Sequence, residues 1–486
     1  HRFRSVIPAA EKEDSFFDGI DVSLLGIATL AKDDPGFVME GLRKINTAVE
    51  DAISKFSSVH PERSAPPLAN GLKETAVLLE AIEKSSLSDD SKYGLRKELE
   101  VKRAQFNNAL AESLGLSLTA TVAPAVEPNP RFAMFMGDPA TMQIAIPGQT
   151  FGVKVHVVSQ SSEAVTLRRT VVESAGQKEN WPVTPASASN DTALANDKPV
   201  EATFSVTVPQ NPQYTRPYFS RPDIEQSYYN IDDERYLNRP LPPYPVVAWA
   251  EFNYNGVPIR IGEYVQSVER INGQGSVFEP LAVAPAIGVS IPARAGIVAL
   301  DAKSFPLTTI VHSNVKGPAK GTVHLELPSG WKSEPASAPF ATSDDGQDQS
   351  MTFTVVPSRL AEKEYKITAT AEYNGRNYSE GYTVTGYPTL RPYYLYRPST
   401  YKTSGVDVKV APGLKVGYVM GSGDDVPSAL EHLGIKVTFL APADIASGDL
   451  GKFDAILLGV RAYAVREDLK TYNSRLLDYV KNGGAL

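Results

Sequence analysis

Tyrosine and arginine crowd one stretch of this chain. Between positions 210 and 245 stand Tyr214, Tyr218, Phe219, Tyr228, Tyr229, Tyr236 and Tyr244, with Arg216, Arg221, Arg235 and Arg239 among prolines. These side chains join an apolar face to a polar tip, the chemistry that stacks on sugar rings and anchors protein interfaces. Two readings stand side by side. In the first, Tyr214, Arg216, Tyr218, Phe219, Tyr228, Tyr229, Arg235 and Tyr236 contact a glycan. In the second, the segment folds back on a neighbouring domain, which covers its rings.

Other residue types offer less. The turn Gly421-Ser-Gly-Asp-Asp-Val-Pro427 follows a short apolar run and opens a helical pattern, the place where α/β folds hold anions. It departs from the dinucleotide fingerprint, because Val426 stands where the third glycine belongs. Asp424 and Asp425 would repel phosphate but suit the first turn of a helix. With Arg461 and Tyr463, expected just past a later strand, Asp424 and Asp425 form a second, weaker cleft candidate. The six histidines, His1, His60, His156, His312, His324 and His432, show no metal-ligand spacing such as His-Glu-x-x-His. Asp232-Asp-Glu234 reads as a solvated charge run, since three consecutive acids in an extended chain cannot all face one ion. Cysteine is absent, and so is a Gly-x-Ser-x-Gly nucleophile motif. No complete catalytic constellation emerges, so no catalytic residue and no metal ligand is assigned.

The elements that would position these residues are marked by a duplication. Glu251-Phe-Asn-Tyr-Asn-Gly-Val-Pro-Ile-Arg-Ile-Gly-Glu-Tyr-Val265 has a looser copy at Ala371-Glu-Tyr-Asn-Gly-Arg-Asn-Tyr-Ser-Glu-Gly-Tyr-Thr-Val384. Each copy carries Asn-Gly between β-branched and aromatic residues, which predicts a tight hairpin. Thr203-Phe-Ser-Val-Thr-Val-Pro209 likewise echoes Thr352-Phe-Thr-Val-Val-Pro357, and Trp181 echoes Trp331. Phe204 to Asn255 spans 255 − 204 = 51 positions, whereas Phe353 to Asn374 spans 374 − 353 = 21. The first copy therefore gains 30 residues, and they fall on the Tyr/Arg-rich stretch.

Around the copies the hydrophobic period changes twice. Leu42, Ile45, Val49, Ile53 and Phe56, then Leu72, Ala76, Leu79 and Ile82, then Leu95, Leu99, Phe106 and Leu110 recur at helical steps. Ser88 and Asp89 can cap the last of these helices and Gly115 can end it, while Pro61 and Pro66-Pro67 are expected to break the chain between helices. Alternation then takes over at Leu118, Ala120 and Val122 and again at Phe151, Val153, Val155 and Val157. Beyond Leu414, strands at Lys415–Met420, Lys436–Leu440 and Asp454–Gly459 alternate with helices at Pro427–Leu433 and Arg466–Lys481, which predicts a parallel, doubly wound sheet. The expected fold is multidomain. It comprises a helical bundle over 1–116, a β-sandwich over 117–278 with the insert 210–245, a second sandwich over 279–405, both Ig-like, and a truncated flavodoxin-like α/β domain over 406–486.

With 486 residues the chain suits three to four domains. A net charge of −8 supplies no basic field for nucleic acid, and no apolar run reaches the length of a membrane helix. The start at His1 without methionine and the stop at Asn482-Gly-Gly-Ala-Leu486 lead us to expect an excerpt cut at both ends.

Several stretches together carry a family resemblance. Ser15-Phe-Phe-Asp-Gly-Ile-Asp21, Leu327-Pro-Ser-Gly-Trp331, Gly417-Tyr-Val-Met-Gly-Ser-Gly-Asp-Asp-Val-Pro427 and Phe453-Asp-Ala-Ile-Leu-Leu-Gly-Val-Arg-Ala-Tyr463 resemble the long bacterial proteins of the PIG-L (LmbE-like) deacetylase family. That resemblance implies a zinc-dependent N-acetylglucosamine-type deacetylase, with its zinc in a catalytic α/β domain before His1. The family's His-Pro-Asp-Asp-Glu type motif is missing here, so none of its catalytic or metal residues is carried over. It further implies that these residues form the accessory part: helices, NEW3-like sandwiches and a class I glutamine-amidotransferase-like domain. The expected partners are the upstream catalytic domain and an N-acetylated glycan, in an exported, periplasmic or secreted protein. The alternative is a glycan-binding or structural surface protein without enzymatic activity.

Overall fold

Amphipathic periodicity sets the first elements. In the computed structural model, which describes residues 17, 21–32, 36–125, 139–178, 180–187, 190–222, 225–293, 295–386 and 390–486, helices α1 (Gly36–Lys55), α2 (Ala65–Lys84) and α3 (Asp89–Ser113) follow a short 3-10 turn. Apart from Phe17 and Asp21, the Ser15–Asp21 stretch lies outside the described residues. Val38, Leu42, Ile45, Ala48 and Ala52 form the buried face of α1. Ile53 and Phe56, expected on that stripe, are exposed. They sit off the buried face and instead border a cleft of about 630 Å³ with Leu68 and Ala109. Ala76 is also exposed, and Thr75 takes the buried place by donating its hydroxyl to the Gly71 carbonyl at 2.7 Å.

Pro66 and Pro67 do not break the chain between helices. They lie in the first turn of α2, where the missing N–H groups have no helical acceptor to lose. Ser88 caps α3, and Gly115, at φ +57°, follows its C-terminus. The side-chain amide of Asn107 on α3 donates to the Arg260 carbonyl at 2.8 Å and accepts from the Arg260 N–H at 2.9 Å, which ties the helix to a strand edge.

Alternation builds the sheets. Leu118, Ala120, Val122, Phe151, Val153, Val155 and Val157 all point into the core. One sheet orders Gly275–Pro280, Gln266–Ile271, Leu116–Val122, Thr150–Ser159, Val200–Thr207 and Val183–Ser187; its partner orders Val257–Tyr264, Val246–Tyr254, Thr166–Ser174 and Thr192–Ala193. The second copy repeats the plan. Ile287–Ser290, Phe305–Ser313, Gln347–Val356 and Lys332–Glu334 form one sheet; Arg376–Tyr378, Glu364–Tyr373, Ala319–Glu326 and Ser337–Thr342 lie in the other, which also carries Thr400–Val406 and Ala295–Ala299. With Leu116–Val122 and Ile287–Ser290 each counted first, and with Ile144–Ala145, the insert's two short strands and Ala295–Ala299 left aside, both copies read 1-2-6-4 and 8-7-3-5. Asn255 and Gly256 (φ +50° and +81°) and Asn374 and Gly375 (φ +49° and +71°) make the same hairpin turn in both. Trp181 and Trp331 are both buried.

The last elements are a parallel three-stranded sheet ordered Lys436–Phe439, Lys415–Val419, Ala455–Leu458, with helix α4 (Val426–His432) and α5 (Pro442–Ser447) in its crossovers. The helix expected over Arg466–Lys481 is preceded by a separate short helix, α6 (Ala462–Val465), and is itself interrupted at Tyr472, giving α7 (Glu467–Thr471) and α8 (Asn473–Lys481). The chain forms two compact units. One holds the described residues up to Gln213 with Pro243–Ala282; the other holds Tyr214–Pro242 with Val283–Leu486.

Candidate functional site

The insert belongs to the same unit as the second sandwich. Its first residues dock on a two-stranded ribbon, Glu380–Thr385 paired with Tyr393–Pro398. Thr215 donates its N–H to the Val283 carbonyl at 2.8 Å, and its hydroxyl accepts from the Val283 N–H at 2.9 Å. Tyr214 stacks on Tyr396 with ring centroids 6.0 Å apart and planes 7° from parallel. Arg216 lays its guanidinium 4.0 Å from the Tyr396 ring centre and donates to Glu380 at 2.8 Å. The aromatic layer continues through Tyr382 and Tyr394. Tyr382 donates its hydroxyl to Asn314 at 2.7 Å, and burial pushes its pKa up to about 12. Burial likewise carries Tyr396 well above the ordinary tyrosine value. Tyr214 and Arg216 are thus committed to contacts within their own chain.

The tip of the insert is different. Phe219–Ser220 pairs with Asn230–Ile231, and Tyr218, Phe219, Tyr229 and Tyr236 meet edge to face at centroid distances of 5.2 to 6.1 Å. Tyr218 donates its hydroxyl to the Arg239 carbonyl at 2.7 Å. Arg235 grips Asp233 through two nitrogens, at 2.9 and 2.6 Å, and lies 5.2 Å from the Tyr236 ring centre. Asp232 accepts from Ser220 at 2.9 Å, so neighbouring acids of the run serve different partners rather than one ion. On this frame Tyr228 is 66% exposed and Tyr229 56%, with Ile231 and Leu237 also exposed. Gln226, hydrogen bonded to the Tyr228 carbonyl and to Asn230, supplies polar groups beside the rings. Aromatic faces set among fixed amides, carboxylates and a guanidinium suit a polyhydroxylated ligand.

The α/β candidates separate. The Gly421–Pro427 turn follows the central strand of the parallel sheet, where strand order reverses and such folds place ligands. Yet the Asp424 carboxylate accepts from the Tyr418 hydroxyl at 2.5 Å, the Val426 N–H at 3.1 Å and the Val460 N–H at 3.1 Å. It clamps two strand ends together. Burial raises its pKa, and the three hydrogen bonds, led by Tyr418, outweigh that and hold it below the ordinary carboxyl value. At Gly421 a Cβ would stand 2.0 Å from the Val460 carbonyl oxygen, so only glycine fits this approach. Tyr463 donates to Asn473 at 2.5 Å. Asp425 and Arg461 are exposed at the same edge, Arg461 with φ +55°.

His156 faces Glu201 and His312 faces Asp348 across neighbouring strands, one such pair in each sandwich. Among the described residues no group of three or more His, Asp and Glu could hold a metal, and no helix is long and apolar enough to cross a membrane. Sequence reasoning did not find the insert's docking partners Glu380, Tyr382 and Tyr396. A signal existed, because Arg391-Pro-Tyr-Tyr-Leu-Tyr-Arg397 repeats the insert's own Tyr and Arg composition.

No family model matches the chain, and no curated protein matches it. Among solved structures, the apo form of the Calx CBD1 domain is similar at 10% identity and TM-score 0.16, over 25% of this chain and 98% of that one. The secreted serine protease VesC from Vibrio cholerae is similar at 8% identity and TM-score 0.18, over 50% of this chain and 52% of that one. The periplasmic chaperone SfaE is similar at 9% identity and TM-score 0.15, over 26% and 61%. Likenesses this slight identify neither a family nor an activity.

Proposed function

We propose that this chain is the non-catalytic accessory part of a PIG-L-type, zinc-dependent N-acetylglucosamine-type deacetylase, exported from a bacterium, and that the insert's tip holds the enzyme on glycan. The observation that carries the glycan role is the exposed pair Tyr228 and Tyr229, fixed on a ribbon by Phe219 and flanked by Gln226 and Asn230. The family assignment rests on the four stretches quoted above, from Ser15 to Tyr463. Within the same reading both sandwiches are Ig-like, supported by the repeated 1-2-6-4 and 8-7-3-5 strand orders, and residues 406–486 are part of a flavodoxin-like, amidotransferase-like domain, supported by the parallel order around Lys415–Val419. Zinc chemistry belongs to the proposed upstream domain. The described residues offer it no ligand set, so no step through zinc is assigned to them.

The test is titration of a soluble N-acetylglucosamine oligosaccharide into the chain and into its Tyr228→Ala/Tyr229→Ala variant. We expect affinity to fall about tenfold or more, the equivalent of about 1.4 kcal/mol of lost stacking, with the melting temperature unchanged. Equal binding by both proteins, or none by either, overturns the glycan role.

A further inference from the structure

Helix α4 ends in a histidine that is buried against the second sandwich. His432 is only 7% exposed. Its Nε2 lies 2.8 Å from the Pro306 carbonyl oxygen and its Nδ1 lies 2.7 Å from the Tyr401 hydroxyl. A carbonyl can only accept, so Nε2 carries the hydrogen, and in the neutral ring Nδ1 accepts from Tyr401. The Phe305 ring packs 5.4 Å away and the Tyr401 ring 5.6 Å away, edge to face. Gly296 completes the seat, since a Cβ there would stand 2.0 Å from the Tyr401 hydroxyl oxygen and 3.1 Å from Nδ1.

We propose that His432, Tyr401 and Pro306 form a proton-controlled latch, which holds the α/β segment on the second sandwich while the imidazole is neutral and releases it on acidification. The mechanism is the cost of placing a cation in this seat. Protonated Nδ1 would need an acceptor, whereas the Tyr401 hydroxyl is now the donor and would have to turn round. The titratable and charged groups on the elements packed here are few. The helix itself carries Glu431 and Asp425, Thr400–Val406 carries Tyr401 and Lys402, and Lys436–Phe439 carries Lys436. Ala295–Ala299 carries none, and Phe305–Ser313 carries only His312 at its far end, where it pairs with Asp348. Glu431 and the Pro306 carbonyl favour the cation, but burial is the largest influence and lowers the His432 pKa below its ordinary 6.5. A released His432 returns to water and binds protons more readily than the latched one. The latch is therefore at full strength above pH 6.5 and weakens as pH falls below it, by about tenfold in the closed-to-open ratio per pH unit until the latched value is reached.

The experiment is hydrogen exchange of the full chain at about pH 7.5 and about pH 5, corrected for intrinsic rates. Segments 295–299, 400–406 and 426–433 should exchange faster at the lower pH, and strands 150–159 and 246–254 should not. His432→Gln, whose amide can donate to Pro306 and accept from Tyr401 without titrating, should abolish the difference. An unchanged wild-type profile, or the same acid response in His432→Gln, overturns the latch. Should His432→Gln misfold, the wild-type His432 ring protons followed by NMR decide instead. A titration midpoint below that of a free imidazole supports the latch, and one at or above it sinks the proposal.

Discussion

At Asp424 one carboxylate takes hydrogen bonds from a tyrosine hydroxyl and from backbone groups on either side of the sheet's carboxyl edge. Asparagine there would turn an N–H₂ toward at least one of those donors and leave it unmatched. Asp424→Asn should therefore cost about 1 kcal/mol in urea unfolding at neutral pH, the low end for an unsatisfied group because the site is partly exposed. The folded carboxyl titrates below its ordinary 3.8. Its contribution is full above that pH and is lost as pH falls through the lower, folded value, so the gap between wild type and variant should close there. An equal gap at about pH 7 and about pH 2 would contradict this account. The sequence presented Asp424 as a helix-start acid in a possible cleft. It did not present Tyr418 and Val460 as partners, because a carboxylate reads identically whether it waits for a ligand or is already saturated.

Among elements, the insert shows where sequence patterning stops informing. The strands were legible because Val153, Val155 and Val157 alternate regardless of what surrounds them. The hairpins were legible because Asn-Gly needs positive φ wherever it occurs. The edge of an apolar stripe was not. Ile53 and Phe56 satisfy a helical period on paper, yet one step of about 100° separates Ile53 from the buried Ala52. Nor was the docking of Tyr214 and Arg216 legible, since it joins positions 164 apart in sequence at Arg216 and Glu380 with no periodic signal between them. This anchor predicts a specific failure. Arg216→Ala removes an ion pair and a ring contact from a half-exposed site, together about 1 kcal/mol, and should raise proteolysis at residues 225–229 several-fold. Arg216→Lys should rescue only part of the protection, because an ammonium cannot both lie flat on Tyr396 and fork onto Glu380. Full rescue by lysine would show that charge alone holds the insert.

At the scale of the molecule, compactness cuts across the order of the chain. The insert leaves the first sandwich after Gln213 and returns at Pro243, but its contacts belong to the unit built around the second. A lesion at Tyr214 and Arg216 should therefore be felt by the second sandwich and not by the first, although sequence assigns the insert to the first. Tryptophan provides the readout: Trp181 and Trp249 lie in one unit and Trp331 in the other, where it is buried against Phe305 and Tyr365. In a Trp181→Phe/Trp249→Phe background only Trp331 fluoresces. Adding Tyr214→Ala/Arg216→Ala should then lower the denaturant midpoint reported by Trp331 by the equivalent of about 1 to 2 kcal/mol, through the lost ring stack and ion pair. The transition reported by Trp181 and Trp249, measured with Trp331→Phe, should move by less than about 0.5 kcal/mol, since the ring stack and ion pair that are lost lie within the second unit. A shift carried by Trp181 and Trp249 instead would mean that the insert stabilises the sandwich from which it springs, and that the Tyr214–Tyr396 stack contributes nothing to holding the second.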